Sequence, residues 1–281
     1  MAWLARSASL LACVAWKGLW AGCRWFERGR TKLLPFEPVM CGRYTIRDPR
    51  RALAEFSILE KAPALEPRFN VAPSQGVWAV RVAGEGRRPE LELVRWGLAG
   101  KPAPGSPSVV MVRGEGLGKR PPFAEAFRRR RCLLVADGFY EWRRAGRQSF
   151  PYYFTRPDGA PFAIAAIWEH ASTQGGSLDA CALITRPALP PVDAVHNRMP
   201  ALLAAAHRER WLDPVFEDVH EIYRMLMDPP GFPLQARPVS PRVNSPANDD
   251  EACAAPIEEN ERRGEQFELF PSPPQGGRGD D

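Results

Sequence analysis

No CxxC pair occurs in this 281-residue chain, and it holds only four histidines. Zinc sites are built from closely spaced Cys and His ligands, so the six cysteines at 13, 23, 41, 132, 181 and 253 argue against one. Their scatter fits reduced thiols in a cytosol better than a disulfide framework. A membrane-spanning run is missing too: Leu10-Leu11-Ala12-Cys13-Val14-Ala15-Trp16 is too short, and Lys17 and Arg24 interrupt the apolar stretch beyond it. With no internal repeat and no alternating β-α-β pattern, a parallel doubly wound sheet is not expected. Acidic excess is also lacking. The net charge is +5 and the pI about 9.0, a balance that favours an anionic partner such as nucleic acid. The rest of the composition, 44% hydrophobic and 25% charged, is ordinary for one soluble domain of about 200 residues with tails.

The tails fall at both ends. Residues 1–39 read as an extension with three open origins. Translation starts at Met40, or the extension is made and processed, or it is an export signal with Ala21-Gly22-Cys23 as a faint lipoprotein box. Residues 245–281 are rich in Pro, Glu, Asp, Gly and Asn and are expected to be disordered.

Between the tails, short apolar segments alternate with turns. Strands are predicted over 77–82, 91–96, 132–136, 139–143, 152–155, 162–168 and 180–185. Asp137-Gly138, Ala145-Gly146 and Asp158-Gly159 read as hairpin turns. Asp48-Pro49 starts a helix to about residue 56, residues 203–212 read as a second, and the stripe Val219, Ile222, Tyr223, Leu226 marks a third over 215–228. The expected class is α+β: a curved, mainly antiparallel, barrel-like sheet with peripheral helices.

Cys41 carries the most chemistry. If the working chain begins at Met40 and loses it, Cys41 presents an amine and a thiol on adjacent carbons. Such an aminothiol condenses with an aldehyde to an imine, and the thiol then closes a thiazolidine ring. An α-amine titrates near pH 8, so part of it is neutral at pH 7, unlike a lysine.

Four stretches stand around this cysteine in the sequence: Met40-Cys41-Gly42-Arg43-Tyr44, Arg68-Phe69-Asn70-Val71-Ala72-Pro73, Asp137-Gly138-Phe139-Tyr140-Glu141-Trp142 and His196-Asn197-Arg198-Met199-Pro200. With Trp96-Gly97-Leu98 and the closing Pro238-Val239-Ser240 and Arg242-Val243-Asn244, the set closely resembles the SRAP family of abasic-site-processing proteins over residues 40–244. The resemblance implies a compact mixed α/β fold, binding of single-stranded DNA, and covalent capture of abasic sites through the N-terminal cysteine. It assigns Cys41 as nucleophile, Glu141 as the carboxylate that polarises or deprotonates the amine, and His196 as the proton donor and acceptor. Asn70 would hold the cysteine backbone or the sugar. Autoproteolytic removal of the extension and weak lyase activity are side expectations. No metal or organic cofactor is implied, nor a membrane; the expected protein is a cytoplasmic monomer acting on abasic single-stranded DNA.

DNA contacts are expected from Arg43, Arg68, Arg113 and Arg198, with the run Arg128-Arg129-Arg130-Arg131 as a further basic stretch or a solvated edge. Trp96, Phe139, Tyr140 and Trp142 are candidate stacking faces for unpaired bases. Two departures from the family pattern fall on this face: Met111 stands where an Asn is usual, and residues 99–108 lack the usual aromatics. Rival readings have less support. Gly114-Glu115-Gly116-Leu117-Gly118-Lys119 is not a phosphate loop, because Arg113 and Arg120 occupy positions that need Gly and Ser or Thr. An exported cysteine peptidase or lipoprotein using Cys41 and His196, and a DNA-binding module with a blocked Cys41, remain as alternatives.

Overall fold

The computed structural model describes residues 42–56, 63–82, 88–98, 108–119, 121, 123–170, 172–173, 176–177 and 179–257. Cys41, residues 1–40, most of the 99–108 loop and residues 258–281 lie outside this set. The strands are β1 (Arg43–Ile46), β2 (Arg68–Val71), β3 (Gly76–Val82), β4 (Pro89–Trp96), β5 (Met111–Arg113), β6 (Arg131–Ala136), β7 (Gly138–Ala145) and β8 (Gln148–Thr155). They continue as β9 (Phe162–Glu169), β10 (Ser172–Thr173), β11 (Gly176–Ser177), β12 (Ala180–Pro187), β13 (Arg198–Pro200), β14 (Leu202–Leu203) and β15 (Gln235–Pro238). The helices are α1 (Pro49–Ala54), α2 (Ala124–Arg129), α3 (Arg208–Leu212) and α4 (Val219–Met227).

Two sheets result. One is a closed ring, β12-β4-β3-β6-β9, sealed where β12 pairs antiparallel with β9 and parallel with β4. The strands β6, β9 and β12 read as continuous buried runs because both their faces are covered. Full burial of each Leu, Ile or Val there stabilises by about 1.5–3 kcal/mol. β9 carries Ala163, Ala165 and Ala166, weak strand formers. Pairing with β6, β12 and β14 overrides that preference. Helices α1, α2 and α3 pack on β6.

The second sheet has the order β15-β8-β7-β1-β2, antiparallel throughout. Its inner face adds Tyr44, Phe139, Tyr152 and Phe154 to the main core. Its outer face holds Tyr140 and Tyr153 against Val239, Val243, Cys253 and Ala254. The α+β class with a barrel-like core and peripheral helices is therefore the observed one.

Local expectations fared unevenly. Only Ala145-Gly146 joins two paired strands, β7 and β8, with Gly146 at φ +60°. Asp137-Gly138 and Asp158-Gly159 are junctions: each passes the chain from one sheet to the other. The Asp48 carboxylate caps α1 as expected, accepting from the Arg51 N–H at 3.0 Å. Residues 203–212 are not one helix. Leu202 and Leu203 pair with Ile164 and Ala163 of β9 before a short turn leads into α3. Helix α4 starts later than predicted, at an Asp218 cap, and buries Met225 in place of Tyr223.

The expectation of disorder from residue 245 needs correcting. Residues 245–257 are folded, with Cys253, Ala254 and Ile257 buried. Average polarity hid a few apolar residues spaced to cover the two tyrosines, and carbonyls that meet donors from the sheet.

Candidate active site

β1 begins directly after the buried Gly42, and Cys41 itself lies outside the described residues. The register pairs Arg43 with Tyr140, Tyr44 with Phe139 and Thr45 with Gly138. The start of β1 thus lies beside the residue before Glu141. Glu141 is 1% exposed, on β7 opposite Tyr152, whose phenol is pushed up by burial. A carboxylate in such a place is costly to ionise unless a cation or donor meets it.

Behind β1, Asp137 locks this register. One carboxylate oxygen accepts from Thr45 Oγ1 at 2.5 Å and from Arg47 Nε at 3.2 Å. The other accepts from the backbone N–H groups of Arg47 at 2.6 Å and Asp48 at 3.2 Å. The Tyr153 hydroxyl closes the group at 2.7 Å from Thr45 Oγ1. A Cβ on Gly138 would overlap the Tyr153 phenol, so glycine there is a packing requirement. Reading Asp137 only as a turn former missed this role; an acid immediately before a buried strand was the available sign.

Asn70 and Arg43 are brought together. Asn70 Oδ1 accepts from Arg43 Nη1 at 2.9 Å. Its Nδ2 faces the carbonyls of Asn248 at 2.6 Å, Ser245 at 2.9 Å and Val243 at 3.2 Å. Arg43 also donates to Val243 O at 2.6 Å and Asn244 O at 3.3 Å, and burial lowers its pKa below the usual arginine value. Among the described residues the partners of the Asn70 amide are therefore Arg43 and these carbonyls, and Oδ1 keeps a second lone pair.

His196 is half-buried, and its Nδ1 faces Arg198 on two sides. The Arg198 N–H lies at 3.0 Å and the Arg198 carbonyl at 3.1 Å. Nδ1 thus has a hydrogen-bond partner in either tautomer.

The expected DNA contacts divide. Arg113 on β5 is exposed. Arg68 is partly exposed, donating from Nε to Asp249 and from Nη2 to Gln75 Oε1 at 2.8 Å. Arg198 is not free: its side chain is 12% exposed and forks onto Glu115, with further bonds to Thr185 O at 2.8 Å and Oγ1 at 3.0 Å. The fork holds the Glu115 carboxyl below the usual range. Trp96 is fully buried against Tyr44 at 5.5 Å between ring centroids, and its Nε1 donates to Val110 O at 2.8 Å. It is core and offers no face to a base. Phe139 and Tyr140 are buried as well, which leaves Trp142 as the partly exposed aromatic of the four. Its Nε1 donates to Asn244 Oδ1 at 2.7 Å. The arginine run is not a uniform edge. Arg131 is buried, donating to the carbonyls of Trp211, Phe127, Arg128, Asp213 and Phe216. Arg129 and Arg130 pair with Glu217 and Glu125.

The three described cysteines, Cys132, Cys181 and Cys253, are free and buried; burial pushes the Cys181 thiol up to about 12. Thiols in that state are poor nucleophiles. Among the described residues no helix is long and apolar enough to cross a membrane.

The family model described as SOS response associated peptidase (SRAP) matches residues 40–246. The chain is 33% identical over 218 residues to the abasic site processing protein YoaM of Bacillus subtilis, covering 75% of this chain and 95% of the relative. To the abasic site processing protein YedK of Escherichia coli it is 28% identical over 184 residues, 62% of this chain and 79% of that one. A crystal structure of a Bacteroides thetaiotaomicron protein superposes with a TM-score of 0.63 at 20% identity, covering 78% of this chain and all of the other. By the match over most of its length and by its relatives, this chain belongs to the SRAP family.

Proposed function

We propose that this protein captures abasic sites in single-stranded DNA by a covalent bond through Cys41, once the residues before Cys41 are absent or removed. The observation that carries the reading is the register of β1 on β7, which brings the strand following Cys41-Gly42 beside the buried Glu141. Relatives named abasic site processing proteins support the substrate class.

The chemistry balances without an external oxidant or reductant. The abasic deoxyribose opens to its aldehyde, and the neutral amine of Cys41 adds to the carbonyl carbon. Loss of one water gives the imine, and the thiol adds across the C=N bond to close the thiazolidine. Glu141 takes the proton that the ammonium must lose. His196 supplies and recovers protons during ring opening and dehydration. The same Cys41, Glu141 and His196 are candidates for cleaving the bond before Cys41, and β-elimination from the imine accounts for any weak lyase activity. Arg43, Arg68 and Arg113 would balance phosphate charge, giving salt-dependent affinity without sequence preference.

Intact mass tests the proposal. The protein made from its own start signals is weighed before and after incubation with an oligonucleotide carrying one abasic site. A chain beginning at Cys41, and an adduct equal to the two masses less one water that is lost in Cys41→Ala, are expected. A chain retaining residues 1–40 with no adduct would overturn the proposal for that form.

A further inference from the structure

The family match ends at residue 246, yet two residues beyond it reach the site. Asn248 places its carbonyl 2.6 Å from Asn70 Nδ2. Asp249 does more. Its Oδ1 accepts from the backbone N–H groups of both Phe69, at 2.6 Å, and Asn70, at 2.7 Å. Its Oδ2 accepts from Arg68 Nε.

These N–H groups have a reason to need such a partner. β2 is the edge strand of its sheet, and its register with β1 slips between Tyr44↔Val71 and Ile46↔Arg68. Two residues of β1 are spanned against three of β2, so β2 carries a bulge at Phe69-Asn70. A bulge leaves an extra residue unpaired and re-aims a side chain. Here it presents two consecutive N–H groups to one carboxylate oxygen and directs the Asn70 amide at Arg43, the first residue of β1. A buried N–H without an acceptor is costly, so the bulge holds this shape only while an acceptor is present.

We propose that Asp249 is a positioning residue for the Cys41 reaction: it fixes the β2 bulge, the bulge fixes Asn70, and Asn70 fixes Arg43 at the start of the strand that follows Cys41-Gly42. This rests on the covalent-capture reading. Two supports of the site, Asn248 and Asp249, then come from a segment that its composition marks as a tail. Arg242–Asp250 pairing and Arg237 donating to Ala254 O at 2.7 Å hold that segment on the sheet.

The test uses the full chain with its mature start at Cys41, an abasic single-stranded oligonucleotide, and the variants Asp249→Ala, Asp249→Glu and Asp249→Asn. Adduct formation is followed against DNA concentration, and melting temperature is measured alongside. Asp249→Ala is expected to lower the rate at saturating DNA by about tenfold or more, with half-saturation moved less than about threefold, because a displaced nucleophile costs rate more than binding. Asp249→Glu keeps the charge but moves the carboxylate by one methylene; a severalfold rate loss with a near-normal melting temperature is expected. Asp249→Asn retains an acceptor oxygen for the two N–H groups and should recover most of the rate. A residue serving stability alone would lower the melting temperature and leave the saturating rate of the folded variants unchanged, and that result overturns the proposal. Should Asp249→Ala not fold, the Glu and Asn variants decide the question in the same way. If the unaltered protein forms no adduct, the capture reading fails, and hydrogen exchange still decides this inference. Faster exchange confined to residues 43–46 and 68–71 in Asp249→Glu supports it, and unchanged exchange there sinks it.

Discussion

The closed ring and the five-stranded sheet are held by different forces. In the ring, β6, β9 and β12 bury Ala, Val, Leu and Ile on both faces, and most of its stability comes from area removed from water, with Arg131 of β6 and Arg186 of β12 as buried polar anchors. In the sheet, the strands that flank the candidate site are tied by named polar contacts: Asp137 to Thr45, Arg47 and Asp48, and Asn70 to Arg43 and residues 243–248. Apolar packing is tolerant of small shifts, whereas these contacts have one working geometry each. The Glu141 and Asn70 side of the candidate site therefore sits on the directional sheet, while His196 lies just before β13, which pairs with β12 of the ring.

Substitutions can break that division. The largest effect is expected from Glu141→Gln, which keeps the shape but cannot take a proton: adduct formation should slow about a hundredfold or more in a folded protein, measured by denaturing gel. An unchanged rate would remove Glu141 from the chemistry. Next comes a matched pair. Trp211→Ala empties part of the ring side of the core, where Trp211 Nε1 donates to Cys132 O at 3.0 Å; a loss of about 3–5 kcal/mol by urea unfolding is expected, with the adduct rate of the folded fraction unaltered. Asp137→Ala orphans four donors in and just after β1, and should cost about 3 kcal/mol and slow the adduct as well. If both variants slow the adduct equally, the two regions are not separable.

A second pair compares the tryptophans. Trp142→Ala should weaken single-stranded DNA binding by about 1 kcal/mol or more, because it removes the partly exposed ring. Trp96→Phe should leave binding alone and lower stability, having lost a buried ring edge and the bond to Val110. Fluorescence anisotropy with a labelled oligonucleotide separates them. The smallest effect concerns pH. Arg198 depresses the Glu115 pKa, so the stability this pair contributes is full above the unfolded carboxyl value of about 4.3 and is lost as pH falls through the lower folded value. Melting temperature should decline with acid through that window slightly less in Glu115→Gln. Identical slopes would show that this half-buried pair contributes nothing.

Most strands and the α+β class were legible because apolar runs bounded by turn residues need only local reading. Position in the fold was not. Asp137-Gly138 and Asp158-Gly159 look like Ala145-Gly146 in sequence, yet they change sheets, since partner choice depends on distant strands. Trp96 and Arg198 sat in motif stretches and were expected at the DNA face; packing against Tyr44 and a fork onto Glu115 occupy them instead. Residues 245–257 were misread because a chain that satisfies its polar groups on a neighbouring sheet has the composition of one that satisfies them with water.

By itself, the sequence determined the aminothiol chemistry open to Cys41, the carboxylate and imidazole suited to it, and the β-rich class. These depend on residue type and short-range pattern. The tertiary structure alone decided which arginines and aromatics are spent on the fold, that the Asn70 amide meets Arg43, and that Asp249 reaches back some 180 residues to the β2 bulge. Each of those outcomes turns on which donor meets which acceptor once water is excluded, and only the folded chain brings them within hydrogen-bonding distance.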